Sequence, residues 1–408
     1  MRVVSLRQSS VLVVVGIVVV VVEMRWRRIA IILFMGAVAI TIILCSRFTG
    51  NDGLYTTLDG LINGLDNETT PKAEFVIIFC EASSNNLGIL EVNLTRHLRQ
   101  ISVLLKSAAA LTSTTLKFNI ITDTTEMYHD IINVTRSWPE AYRSRLIFDN
   151  TRVFYPPKTE EMRDMFRPCA TERLFLPQIF PQKDALIFLD TDLLFMQPPE
   201  DLWKEFQNFE ERHSVGISPC LYMYGPGFKK FPTFGSSGVN AGVILMNLTR
   251  LNHFPLGWLS TIVNVTRRYK GMLKLADQDI LNIIFSRERS NRLYELGCEW
   301  NYRQMVCSEG WNKCPGAASR GVALLHGAAM TFMNGQERQL QAVFEAWEKY
   351  QLERPLTELL ELLETALDSQ GSTEGCGKLS NIKSILIKGL ERHIRLQDRE
   401  KILKHCKS

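Results

Sequence analysis

Apolar and polar positions between residues 74 and 350 fall into short continuous apolar runs separated by stretches of helical period. Residues 75–80 form an unbroken apolar run with the length and branched content of a strand buried on both faces. Apolar side chains at Leu94, Leu98, Ile101, Leu104 and Leu105 then predict a helix over 92–110 with one buried stripe. A second strand at 116–122 completes a βαβ unit. Further strands are predicted at 185–189, after a helix at 171–179, at 242–246, after the Gly/Ser-rich turn 235–238, and at 322–325. Residues 277–285 read as another helix. This alternation predicts a doubly wound α/β sheet, and no internal repeat is visible. From about Gln351 the pattern changes to two amphipathic segments, 355–367 and 378–405, around the turn 371–377. That tail is expected to pack against the main domain.

The N-terminus follows a different rule. Residues 11–22 are apolar and nearly all valine, Arg25, Arg27 and Arg28 follow, and 29–45 carry no charge. At helical rise the second stretch spans about 25 Å, close to the least that crosses a bilayer core. The basic cluster is expected to keep 1–28 cytosolic, making 29–45 a single transmembrane signal anchor with the remainder across the membrane. A cleaved signal peptide is the competing reading. Met24 directly precedes the basic cluster, so residues 1–23 are also readable as an upstream extension. Polar residues 46–73 read as a lumenal stem, 74–350 as the main domain and 351–408 as its helical tail.

Five Asn-x-Ser/Thr sequons, at Asn67, Asn93, Asn133, Asn247 and Asn264, are expected to be exposed glycan acceptors in a secretory-pathway lumen. Of nine cysteines, Cys45 sits at the membrane edge, leaving an even number free to pair beyond it. The spacing of Cys298, Cys307 and Cys314 does not match the two- to four-residue knuckles of zinc sites, so disulfides are expected there. Cys376 with Cys406 is a candidate pair. The 47 Lys and Arg against 43 Asp and Glu leave only +4, which argues against a dedicated nucleic-acid binder.

Asp190-Thr191-Asp192 directly follows the strand 185–189. The carboxyl ends of strands in an open sheet are where ligands bind. Two carboxylates there suit a hard cation such as manganese or magnesium, which can hold a diphosphate; a capped turn explains the same residues equally well. His326 ends the strand 322–325, and as a neutral imidazole it could complete such a site or merely be a satisfied core residue. Asn240-Ala241-Gly242 could let a ligand approach the backbone, with the Asn amide reading a hydroxyl, or could simply form a tight turn. Asp277-Gln278-Asp279 opens a helix, where N-capping is the simplest role. Arg173, in an apolar helix, needs an anion, either a structural carboxylate or a phosphate.

Taken in order, the segments 169–177 (Cys-Ala-Thr-Glu-Arg-Leu-Phe-Leu-Pro), 190–195 (Asp-Thr-Asp-Leu-Leu-Phe), 238–243 (Gly-Val-Asn-Ala-Gly-Val), 277–282 (Asp-Gln-Asp-Ile-Leu-Asn), 298–303 (Cys-Glu-Trp-Asn-Tyr-Arg) and 325–327 (Leu-His-Gly) resemble glycosyltransferase family 8. Within it they are most similar to the glucoside xylosyltransferases, over about 74–350. The resemblance implies a GT-A, Rossmann-like fold, a UDP-sugar donor (UDP-xylose), a manganese ion and retention of anomeric configuration. It implies Asp190, Asp192 and His326 as metal ligands, Arg173 at the donor phosphate or sugar, Asn240 and Asp277 at the donor sugar, and Gln278 near the anomeric carbon. It also implies a Golgi or endoplasmic reticulum membrane enzyme acting on O-linked glucose of EGF-like repeats. Other UDP-sugars, a xyloside acceptor, or an inactive carbohydrate- or protein-binding relative are the alternatives. Two departures stand out. Many relatives carry a phosphate-contacting lysine shortly after the histidine, which Gly327-Ala328-Ala329-Met330-Thr331-Phe332 lacks, and residues 220–234 also differ from the expected acceptor-side stretch.

Overall fold

The computed structural model describes residues 73–80, 87–163, 165, 169–222, 231–371 and 373–407. The anchor at 29–45, the valine run, Met24, the stem and Asn67 lie outside them. Among the described residues no helix is long and apolar enough to cross a membrane. The elements that build the site lie in one unit, Thr69–Arg395, and the last helix runs on into a separate one.

The first βαβ unit forms where the apolar pattern puts it, as β1 (Ala73–Phe79), α1 (Leu87–Leu111) and β2 (Leu116–Thr122). Thr124 accepts from the Met127 amide to cap α2 (Thr125–Asn133), and β3 (Leu146–Arg152) follows. Then come β4 (Ala185–Leu189), β5 (Leu193–Phe195), β6 (Val215–Pro219) and β7 (Val239–Asn247). Two helices, α3 (Trp258–Arg268) and α4 (Asp277–Ile284), precede the short strands β8 (Leu293–Glu295) and β9 (Leu324–His326). Helices α5 (Arg338–Lys349), α6 (Leu356–Asp368) and α7 (Ile382–Lys407) close the chain.

The main sheet runs β3-β2-β1-β4-β7-β6-β8. It is mixed, not the wholly parallel arrangement that the alternation suggested: β1 to β4 are parallel neighbours, but β7 runs antiparallel to both β4 and β6. Among the described residues between β6 and β7 there is no helix, and β7 returns antiparallel beside β6. Phe75, Ile77, Ile187, Leu189, Val243 and Leu245 bury one face of the sheet. Val76, Leu186, Phe188, Ile244 and Met246, alternate residues on the same strands, bury the other. The tail residues Leu359, Leu363, Ile385, Leu386 and Leu390 belong to the first of these clusters.

Several boundaries move. The helix expected at 171–179 is a 3-10 turn, Ala170–Phe175, followed by one α turn, Leu176–Ile179. Strand β7 starts three residues before the predicted run, and β9 takes in His326. The second tail helix begins at Ile382 behind a 3-10 turn, Gly375–Lys378. Strands β3, β5, β6 and β8 were not anticipated; β3 and β8 are edge strands and carry no continuous apolar run, and β5 is only three residues long.

Disulfides join Cys80 to Cys169, Cys298 to Cys314 and Cys307 to Cys376. The triplet 298/307/314 thus forms disulfides as expected, but the Cys376–Cys406 pairing is overturned: Cys307 holds Cys376, both side chains being fully buried. The Cys406 side chain lies outside the described residues, and Cys220 is a buried free thiol. Cys307 and Cys376 are 69 residues apart, so replacing both by Ser is expected to lower stability by about 4 kcal/mol, read as a denaturation midpoint against the oxidised parent.

Of the sequon residues, Asn133 and Asn264 are exposed. Asn247 departs from the expected exposure: it is half-buried, and its side-chain oxygen accepts from the Arg250 amide to cap the short helix Leu248–Asn252. The Asn93 side chain lies outside the described residues.

Candidate active site

Three strand pairings bring the distant motifs together. Strand β4 ends at Leu189, opposite Val243 of the antiparallel β7, so Asp190 emerges beside Gly242, whose carbonyl accepts from its amide at 2.9 Å. The chain turns and re-enters as β5, where Leu193 pairs with His326 of β9. The Gly327 amide then donates to the Asp192 carbonyl at 2.7 Å. His326 is therefore anchored to the Asp-Thr-Asp turn by backbone hydrogen bonds, although the two are far apart in the sequence.

One ligand atom from each of Asp190, Asp192 and His326 lies within 4.8 Å of the others. His326 Nε2 is 3.3 Å from Asp192 Oδ1 and 3.7 Å from Asp190 Oδ2. On the opposite edge of the ring, Nδ1 sits 2.8 Å from Asn301 Oδ1. The Asn301 amide nitrogen donates to Asn240, so its oxygen is an acceptor and Nδ1 carries the proton. Nε2 then presents a lone pair to two carboxylates inside a site where the ring is 3% exposed. That arrangement repels unless a cation or a further proton lies between them, and two carboxylates plus a neutral imidazole are a donor set for a divalent ion. The residues thus fit the metal that the resemblance implies. Burial pushes the Asp190 carboxyl up from its ordinary range, with Arg173 pulling against it and Asp192 adding to the rise. Burial presses on Asp192 too, but without a cation a further proton shared with the adjacent imidazole outweighs it, and the carboxyl lies below its ordinary range.

Arg173 is fixed on all sides. Its Nη1 meets Asp190 Oδ1 at 2.9 Å and the Ala241 carbonyl at 2.9 Å; Nε meets Asp277 Oδ2 at 3.2 Å and the Ala170 carbonyl at 2.9 Å. The guanidinium carbon stacks 4.0 Å above the Phe188 ring. Of the two anions open to it from sequence, structural carboxylates satisfy Nε and Nη1. Desolvation drives the Asp277 carboxyl up to about 7, even beside Arg173.

Asn240 and Gln278 join the same network. Asn240 Nδ2 and the Ala241 amide both donate to Gln278 Oε1, at 2.9 and 3.2 Å, while Asn240 Oδ1 accepts from Asn301 Nδ2 at 2.8 Å. An unbroken hydrogen-bonded path thus runs from His326 through Asn301 and Asn240 to Gln278. The expected N-capping is not found, since Ala276 stands at the N-cap of α4 with no side-chain hydrogen bond; Asp279 instead fixes the preceding loop, its Oδ2 accepting from the amides of Lys274 and Leu275. All seven candidate side chains therefore gather at the carboxyl end of β4.

Three residues in or beside the centre have roles that the sequence did not display. Asn301 was quoted within a motif but given no role, although a ligating histidine usually has an acceptor behind it. Gly242 is a second: a Cβ there would lie 2.3 Å from His326 Cε1 and 3.0 Å from Asp190 Oδ2, so only the bare backbone fits behind the cluster. Glu172 is the third, and nothing in its neighbourhood in the sequence marks it. It is fully buried next to Arg173; Oε1 accepts from the Phe154 amide at 2.6 Å, and Oε2 finds no hydrogen-bond partner. Desolvation raises its pKa to about 8. With the folded value above the unfolded one, the folded state holds the proton more tightly. Its stabilising effect is full below the unfolded pKa, near 4.5, and is lost as pH rises toward 8. The melting temperature should thus fall between pH 5 and 8, and Glu172→Gln should flatten that fall; an equal slope in both proteins would exclude a buried proton at this carboxyl.

A family model described as Glycosyl transferase family 8 matches residues 77–328. Zebrafish (Danio rerio) glucoside xylosyltransferase 1 is 33% identical over 307 residues, covering 72% of this chain and 74% of that protein. The human (Homo sapiens) glucoside xylosyltransferase 1 is 30% identical over 73% of this chain and 69% of its own length. Among solved structures, the apo form of mouse xyloside xylosyltransferase 1 aligns with 64% of this chain and 98% of its own, at 19% identity and a TM-score of 0.47.

Proposed function

This chain belongs to glycosyltransferase family 8 and is a glycosyltransferase, and on that premise we propose that it moves xylose from UDP-xylose to glucose O-linked on EGF-like repeats. The observation that carries the transferase chemistry is the convergence of Asp190, Asp192 and His326 on one point, with the His326 lone pair turned inward. The choice of xylose rests on the named activity of its relatives. In this reading the enzyme is anchored by 29–45 in a Golgi or endoplasmic reticulum membrane, with its catalytic domain in the lumen.

Asp190, Asp192 and His326 would hold manganese, which when bound offsets the charge that builds on the departing UDP phosphates. Arg173 holds the Asp190 and Asp277 carboxylates apart and oriented, and the N–H groups of its Nη2 are those left to reach the donor. Asn240 and Asp277 read donor-sugar hydroxyls, and Gln278 lies at the anomeric carbon. Of the two carboxylates flanking Gln278, Asp279 is tied through Oδ2 to two backbone amides and Asp277 through Oδ2 to Arg173, which disfavours either as a nucleophile. Retention then follows from attack on the same face: the acceptor oxygen bonds to the anomeric carbon as that carbon's bond to the phosphate oxygen breaks. The acceptor hydroxyl proton passes to the leaving phosphate oxygen. A covalent sugar adduct trapped on Asp277 or Asp279 would contradict this route.

The test is transfer of radiolabel from UDP-xylose, UDP-glucose and UDP-galactose, with manganese, to an EGF repeat already bearing O-glucose. Label is expected from UDP-xylose and in product that a retaining linkage assignment identifies as α. Transfer from a hexose donor alone would move the donor assignment, and binding of UDP-sugar without turnover would mark an inactive relative.

A further inference from the structure

The charge balance around the carboxylate–histidine cluster is incomplete. A divalent ion held by Asp190, Asp192 and His326 would offset the two carboxylates, and Arg173 is held between Asp190 and Asp277. A nucleoside diphosphate arriving there brings several further negative charges, and its departure builds more. The turn after His326 offers no basic side chain of its own, since residues 327–336 contain neither Lys nor Arg.

Helix α1 reaches that turn from the other side. His97 on α1 meets the hydroxyl of Thr191, the middle residue of Asp-Thr-Asp, at 3.3 Å through Nδ1. Its neighbour Arg96 places Nη2 at 3.0 Å from His97 Nε2 and Nη1 at 3.1 Å from Met330 Sδ. Met330 lies on the turn leaving His326, where Ala329 and Met330 both take positive φ, 57° and 64°, conformations that cost energy in residues other than glycine. The guanidinium of Arg96 therefore bridges the two segments that carry the metal-ligand candidates, and it does so from the half-buried, solvent-facing side. A thioether is a weak acceptor for it, one that a phosphate oxygen displaces readily. One turn along, Arg99 Nε and Nη2 are both bound to Glu348, at 2.8 Å each.

We infer that Arg96 is a donor-binding residue whose guanidinium exchanges the Met330 sulfur for a pyrophosphate oxygen of the bound nucleotide, with His97 orienting it from behind. This deepens the UDP-sugar reading above and rests on it. Guanidinium is suited to the role because it stays charged at every working pH and can take two phosphate oxygens at once.

Isothermal titration of the full chain with UDP and, separately, with uridine, in manganese, tests it. Arg96→Ala is expected to weaken UDP binding about tenfold or more while leaving the affinity for uridine, which has no phosphate, unchanged. Arg96→Lys should recover part of the loss, because it restores a charge without the fork. Arg99→Ala should match the parent with both ligands. Equal loss for UDP and uridine would show that Arg96 only shapes the fold, and an unchanged UDP affinity in Arg96→Ala would overturn the inference outright. Should the parent itself bind no UDP, the reading of the site as a UDP-sugar centre fails instead, which separates the two outcomes.

Discussion

Asp192→Asn is expected to cut transfer by at least about a hundredfold while the protein stays folded and melts close to the temperature of its parent. The substitution is isosteric, so packing at the end of β4 is undisturbed, and the Gly327 amide still finds the Asp192 backbone carbonyl. What it removes is one of two negative charges crowded beside the His326 lone pair. Without a cation a further proton on the imidazole relieves that crowding, so folding alone depends little on this charge. With a cation and a nucleotide it is the means of holding both. Activity beside a thermal melt separates these effects, and a fully active Asp192→Asn protein would remove this residue from the metal ligands.

The second large effect is expected at a residue that bears no side chain. Gly242→Ala sets a methyl group 2.3 Å from His326 Cε1, 2.8 Å from its Nδ1 and 3.0 Å from Asp190 Oδ2. Backbone cannot yield there, because Gly242 is held by its carbonyl to the Asp190 amide and by its own amide to Asn240 Oδ1. The imidazole has to swing away, which breaks its hydrogen bond to Asn301 and moves Nε2 out of line with the carboxylates. Overpacking of this kind costs about 1–3 kcal/mol in stability. Manganese affinity and transfer should fall together, by about a hundredfold for transfer. A variant whose thermal stability drops in that range with transfer unaffected would show that the cluster tolerates displacement of the ring.

Much of this centre was legible before any coordinates. Asp190-Thr191-Asp192 directly follows one short apolar strand and His326 ends another, and the carboxyl ends of strands are where side chains of different segments can meet. What the chain could not display was the pairing that joins them. That His326 lies opposite Leu193 depends on a three-residue strand, too short to carry a period of its own. Strand direction was hidden for a similar reason: the apolar run 242–246 reads alike in a parallel or an antiparallel sheet, and only its pairing with β4 and β6 sets it. Cys307 and Cys376 illustrate the limit for covalent structure, since any of the distal cysteines could be counted into pairs. Arg173 shows the converse. Its need for an anion was evident from its apolar surroundings, but which anion depended on Asp277 arriving from a helix more than a hundred residues away, a contact of the folded core.

Electron paramagnetic resonance of manganese titrated into the full chain with UDP present addresses the centre itself, without relying on the identity of sugar or acceptor. The parent should take up one ion per chain and quench the free-ion signal, whereas His326→Ala at the same protein concentration should leave the ion in solution although it folds. Equal uptake by the two proteins would place the ion elsewhere and dissolve the link between these three side chains and the nucleotide.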